Sequence, residues 1–328
     1  MVLSADSSTA GPFIVVLDAA NASLRALLFD SGAHQMEGYG ARLPVTAEPQ
    51  PTELALLQID CLDELHRQVQ EAGFRVGAVA GCEESGIGDA DRPPWPAFDG
   101  AAWFPALPEL ACASLGSGSV TPDRFSLIVG ASSTMGVVME AASAEAVPDL
   151  DTIRVDDRRQ VLYGSAPDAD AWIAWARRTL ALPRDIEARL DAATPGGHGL
   201  TLLPFAGDGR GAISGLTPAT TPADILHAAL ESLALQLRGI YGILSERLAP
   251  PTEVVASGSA LLKSPALTQM MADALGRPVV VCTEPEPAAR GAALWALEKI
   301  GAIENLSELP ASSGAVFSPR AKYAKLSG

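Results

Sequence analysis

The chain has 328 residues, 48% of them hydrophobic, and a formal net charge of −16. That length gives room for two domains with their own cores, and the apolar content excludes a disordered chain. The negative charge weighs against duplex nucleic acid and an anionic membrane surface as partners, but not against a nucleotide, whose phosphates metal ions and helix N-termini can hold locally. Cys61, Cys82, Cys112 and Cys282 are scattered without a C-x-x-C pair and read as reduced core residues of a cytoplasmic protein. The opening MVLSADSSTAGP has neither a basic start nor an apolar core, so no signal peptide is expected, and no uncharged apolar run reaches membrane length.

Residues 13–18 (FIVVLD) and 24–30 (LRALLFD) are buried-strand runs about a turn at 19–23, which predicts a hairpin. A third strand is expected at 39–45. Residues 52–72 have helical spacing, with Leu54, Leu57, Cys61, Leu65 and Val69 on one face, and 76–80 is another strand. The stretch 83–101 follows neither period and reads as an irregular connection. Residues 102–107 form a strand that ends at Pro108-Glu109, where a short helix opens. A hinge is expected at 120–124. Beyond it the strand 125–129, the turn 130–134 and the strand 135–139 repeat the design of the first hairpin.

Two strands are expected within 153–163, about a charged turn at 156–159, and then a helix at 168–182 that packs through Trp172, Trp175 and Leu180. A strand at 200–206 leads into Gly207-Asp208-Gly209-Arg210-Gly211, and a short run at 213–216 follows. Thr221 caps the longest helix, 222–247, whose apolar stripe runs from Ile225 to Leu244. Val254-Val255 ends in the small-residue turn 257–260. Ser264 is the next N-cap, Pro265 takes the first helical position, and Gly276 with Pro278 stops that helix. A strand at 279–282 and a helix at 287–299 complete a β–α–β–α unit. Gly258 lies at the carboxyl end of its first strand, the edge where parallel sheets bind ligands, and small residues there let a flat ring or a phosphate approach the backbone. Beyond Gly301 the chain turns polar. His34, His66, His198 and His227 show no metal spacing and read as surface or packing residues.

The run SGSALLKSPALTQMMADALGRPV followed by ARGAALWAL resembles the adenosine motif of the FGGY carbohydrate kinases, particularly the gluconate- and xylulose-kinase branch. GLTPATTPADILHAALESLALQL is similar to that family as well. The resemblance covers nearly the whole chain, with a gap near residues 93–95 where the family carries a long insertion with much of the sugar site. It implies an α/β fold of two ribonuclease-H-like (actin-like ATPase) domains, 1–122 and 123–305, with a nucleotide cleft between them and a tail at 306–328. It also implies an adenine pocket at Gly258, Ser259 and Ala260, backed by the helix that starts near Ala288.

The family's first phosphate motif, D-x-G-T-S-S-x-R, falls on residues 18–25. Asp18, Ser23 and Arg25 match, and Ala20 and Asn21 replace the glycine and threonine. By this resemblance Asp18 organises the metal, while Asn21, Ser23 and Arg25 face phosphate. SLIVGASSTMGVV resembles the second motif, V-G-T-S-G-A-M-R. Gly130 and Ser132 match, Ala131 loses a hydroxyl, and Ser133 or Thr134 can donate instead. Gly207 matches the start of the G-E-R-S-P loop. Glu109 falls where the family's G-D-G-A aspartate acts as general base. It is one methylene longer, and an acid there equally suits a helix's first turn. The implied cofactors are ATP and Mg²⁺, and the implied partner is a small-molecule sugar or sugar acid; a homodimer stays open. Three readings follow: a kinase for a gluconate- or xylulose-like acceptor, a kinase for a smaller acceptor, or a catalytically degenerate relative that binds nucleotide or sugar in a regulatory or scaffold role.

Overall fold

The computed structural model describes residues 11–20, 23–45, 50–83, 93–130, 133–141, 147–203 and 210–320. The chain divides into two compact units, Met1–Val120 with Glu284–Ala311, and Thr121–Thr283 with Ser312–Gly328. In the first unit β1 (Phe13–Ala20), β2 (Ser23–Phe29) and β3 (Gln35–Pro44) form an antiparallel meander. Helix α1 (Pro51–Ala72) crosses over to β4 (Val76–Cys82), which pairs parallel with β1. Then β5 (Ala102–Leu107) pairs parallel with β4 and leads into α2 (Glu109–Gly116). The sheet order is β3-β2-β1-β4-β5. Every side chain from Ser23 to Phe29 is buried, as in a strand covered on both faces. Helix α1 buries Cys61, Leu62, Leu65 and Val69, one apolar stripe, and stops at Gly73, whose φ of 70° favours glycine.

In the second unit β6 (Arg124–Val129) and β7 (Ser133–Glu140) form the second hairpin, followed by β8 (Asp151–Arg154) and β9 (Arg159–Ser165). Helices α3 (Pro167–Thr179) and α4 (Ile186–Ala192) and the ribbon of β10 (Thr201–Leu203) with β11 (Ala212–Ser214) precede α5 (Pro222–Arg247). A capping box starts α5: the Thr221 hydroxyl accepts from Asp224 N at 3.3 Å, and the Asp224 carboxylate accepts from Thr221 N at 2.8 Å. Next come β12 (Glu253–Ser257), α6 (Ser259–Lys263), α7 (Pro265–Leu275) and β13 (Val279–Cys282). Within the seven-stranded sheet, β9-β7-β6-β12-β13 repeats the order and sense of the five strands of the first unit. The duplication inferred from the two hairpins therefore extends to whole sheets.

Two expectations need correction. The chain past residue 305 is not a plain tail: residues 306–308 form a 3-10 turn, and β14 (Ser313–Phe317) pairs antiparallel with β13 at the sheet edge. Ser313 to Val316 are exposed and only Phe317 packs against the core, so the backbone ladder carries most of this strand and no hydrophobic period announces it. The helix expected to back the adenine pocket, α8 (Pro287–Lys299), belongs to the first unit, where it packs on β4, β1 and α2. The expected single boundary at 122–123 missed this return of the chain. The approach to α2 is set by glycines. A Cβ on Gly291 would lie 1.8 Å from the Cys112 carbonyl oxygen, and one on Gly116 would lie 1.7 Å from that of Pro287. Among the described residues no helix is long and apolar enough to cross a membrane.

Candidate functional site

The pairing of the first sheet gathers three acids. Asp18 on β1 stands beside Cys82 on β4, and Cys82 beside Leu107 on β5. Glu83 follows Cys82 directly and Glu109 comes two residues after Leu107, so all three lie at the carboxyl ends of adjacent parallel strands. Glu83 holds a φ of 62°, unusual for a non-glycine, and donates its N–H to the Leu107 carbonyl at 2.7 Å. The Glu109 carboxyl is pushed above the ordinary carboxylate value, first by desolvation and then by the negative charges of Glu83 and Asp18. The residue still reaches solvent, so the desolvation is partial.

Asp18 is buried and directly opposite Arg25 in the β1–β2 register. The two form a close ion pair. Glu286, at the start of α8, accepts two further guanidinium N–H bonds from Arg25, at 2.5 and 2.9 Å. Burial acts to lower the Arg25 pKa, but the hydrogen bond to Glu286 and the charge of Asp18 outweigh it and the value is raised. Ser23 accepts from Arg42 Nε at 3.0 Å.

In the second unit the expected small-residue turn is present. Gly258 has φ 95°, and a Cβ there would meet the Val129 carbonyl oxygen at 2.4 Å, so only glycine fits between β12 and β6. Side chains do not fill the turn: Gly258 and Ala260 are half-buried and Ser259 is exposed. Gly130, at the end of β6, has open space where a Cβ would sit, the nearest atom being Ser259 N at 4.0 Å. The fold thus brings Gly130 beside Gly258 and Ser259. Ser133 is fully buried and donates both its hydroxyl and its N–H to Asp170, on the first turns of α3. Among the described residues, Asp170 Oδ2, Thr134 Oγ1 and Ser257 Oγ are buried without a hydrogen-bond partner. Asn21, Ser132 and Gly207 lie outside the described residues.

Glu83, Asp170 and Glu286 were missed in the sequence. The first two lie in stretches read as a connection and a helix start, and Glu286 lies in the EPEP run before α8. His198, His227 and Glu231 also converge, although the histidines lack metal spacing. Leu200 N–H donates to His198 Nδ1 at 2.9 Å, so Nε2 carries the proton and donates to Glu231 at 2.7 Å. That proton arrangement occupies the nitrogen a metal would need, and the cluster reads as a hydrogen-bonded packing network.

The fold, two α/β units on one duplicated sheet plan, is that of the two actin-like ATPase domains of sugar kinases. The structure resembles xylulose kinase from Lactobacillus acidophilus with a TM-score of 0.77 at 14% identity, covering 96% of each chain. It resembles gluconate kinase from the same organism with a TM-score of 0.77 at 15% identity, covering 96% of this chain and 95% of that one. The model of the FGGY family of carbohydrate kinases, C-terminal domain, matches residues 195–298. Curated relatives include glycerol kinase from Aromatoleum aromaticum, 34% identical over 175 residues, which covers 49% of this chain and 35% of the relative. Glycerol kinase 1 from Thermotoga maritima is 33% identical over 162 residues, covering 45% of this chain and 32% of the relative. The chain thus aligns with about a third of the length of these relatives.

Proposed function

We propose that this chain is an ATP-dependent kinase that transfers phosphate to a hydroxyl of a small polyol, sugar or sugar acid. The observation that carries the reading is Glu109. It stands at the carboxyl edge of the first sheet with its carboxyl raised by desolvation and by two neighbouring acids, which makes it a better proton acceptor than an ordinary carboxylate. In this reading Glu109 takes the acceptor hydroxyl's proton. Gly258, Ser259 and Ala260 leave the flat, open turn that a nucleotide base needs, and Gly130 leaves room at the next strand end.

Mg²⁺, when bound with the nucleotide, supplies neutralisation of phosphate charge. Asp18 fits poorly as its direct ligand, because its carboxylate is buried and committed to Arg25. Asp18 instead holds the Arg25 guanidinium in place.

The glycerol kinases among the relatives and the shortened connection in the first unit favour a small acceptor over a hexose. ADP release measured with Mg²⁺-ATP and glycerol, xylulose or gluconate tests the proposal. Turnover with at least one acceptor is expected, reduced by about 100-fold or more in Glu109→Gln. Nucleotide binding with no turnover on any acceptor would reject the enzyme and favour a regulatory binding role.

A further inference from the structure

Helices α4, α5 and α7 enclose a pocket of about 190 Å³ that lies wholly within the second unit. Its walls are apolar: Leu190 of α4, Ala234 and Leu235 of α5, Ala266 and Met270 of α7. Leu235 is 56% exposed, which marks the side open to solvent. None of Gly258, Ser259 and Ala260 lines the pocket, so it is separate from the turn that the kinase reading gives to the nucleotide base. An engineered apolar cavity of about 150 Å³ holds benzene, so the space suits one ring or an aliphatic chain of similar size. His227, Glu231, Asp273 and Arg320 complete the lining. Arg320 is spent on acids: its Nε donates to Asp273 Oδ2 and its Nη1 to Asp191 Oδ1, each at 2.8 Å. Among the described residues Glu231 is paired only with histidines. His198 accepts at Nδ1 from Leu200 N–H, which only the uncharged ring can do. Burial lowers the pKa of His227 despite the opposing charge of Glu231, so this ring is uncharged at neutral pH as well. The Glu231 carboxylate therefore faces the pocket without a counter-charge.

We propose that this pocket binds a small primary amine, an ammonium group carried on an apolar body the size of a single ring. The body covers Leu190, Ala234, Ala266 and Met270 and releases the water against them. The ammonium donates to Glu231. Gly196 and the two histidines take at most three of the roughly four acceptor sites of that carboxylate, which leaves room for one more donor. A carboxylate ligand of the same shape meets Glu231 and Asp273 as like charges, and Arg320 is already shared between two acids. The site needs neither metal nor nucleotide and is independent of the kinase reading.

The test uses the full chain with carbon-13 methionine methyl groups, titrated at neutral pH with benzylamine, benzyl alcohol or benzoate and followed by nuclear magnetic resonance. Met270→Leu assigns the Met270 signal. That signal is expected to shift saturably with benzylamine, at an affinity about tenfold or more above that for benzyl alcohol, and not to shift with benzoate. Glu231→Gln should lose about tenfold in benzylamine affinity while benzyl alcohol binds as before, a split that a general loss of packing would not produce. Ala274→Phe fills the pocket and should abolish the shift with every ligand. Ala193→Phe takes its place if Ala274→Phe fails to fold by circular dichroism. The inference is overturned if Met270 does not respond to benzylamine, if benzyl alcohol or benzoate binds as tightly as the amine, or if the filled variant binds as the wild type does. It is equally overturned if Glu231→Gln leaves the amine affinity unchanged, and if that variant fails to fold, the ranking of the three ligands on the wild-type chain decides.

Discussion

Arg25 has acids on two sides, Asp18 from the opposing strand and Glu286 from the head of α8. Asp18 is 2% exposed and Arg25 7%, so removing the cation leaves a carboxylate with neither water nor counter-charge. Arg25→Met should therefore destabilise the chain by about 3 kcal/mol in urea unfolding. Glu286→Gln should cost about 1 kcal/mol or less, because its side chain meets solvent and Arg25 keeps Asp18. Equal losses in the two variants would contradict this division of labour. Glu109 makes a pH prediction. The base is the deprotonated form and its pKa is raised, so kcat/KM should fall as pH drops through a value above that of an ordinary glutamate. A pH–rate profile with its acid limb below that value would count against Glu109 as the base. Glu109 was legible from its motif, whereas Asp170 and Glu286 were not. Their partners lie 37 and 261 residues away in sequence, and no local period encodes such a pairing.

Glycine positions decide two element-level contacts. At the α2–α8 crossing the Gly291 Cα sits where a methyl group would overlap the Cys112 carbonyl at 1.8 Å. That neighbour is backbone and has no rotamer to yield with. Gly291→Ala should thus push the helices apart and cost about 3 kcal/mol, read from the urea midpoint. Gly239→Ala, at a position on α5 with nothing within 4 Å, should be neutral or stabilising. A Gly291→Ala midpoint equal to wild type would mean that the crossing is not close-packed. Most elements were readable because their burial has a period: α1, α5 and α7 carry apolar stripes and glycine or side-chain caps. The elements that escaped were short or exposed. Helices α4 and α6 have 7 and 5 residues, too few turns for a stripe, and β14 buries almost nothing.

At the scale of the molecule, each unit has its own hydrophobic core, one built on Phe13, Leu24, Leu62 and Leu65 and the other on Phe125, Leu127, Leu230 and Leu233. The units are not consecutive stretches of chain, since the first is completed only when Glu284–Ala311 returns to it. The sequence concealed this. Helix α8 follows β13 as naturally as any helix follows a strand, and nothing in ARGAALWAL names the sheet it covers. The physical content of the return lies in α8 itself, which buries Ala289 to Leu297 and sets Trp295 against Phe104 with ring centroids 5.2 Å apart. Arg290 donates to the Gly116 carbonyl at 2.9 Å. A fragment of residues 1–120 lacks all of this and leaves one face of β1, β4 and α2 bare. It should unfold without a cooperative urea transition and show weak near-ultraviolet circular dichroism. The same fragment joined to residues 284–311 by a flexible glycine-serine linker should recover a single sharp transition. If residues 1–120 alone unfold as cooperatively as the joined fragment, α8 is an accessory to the first unit and not a part of its core.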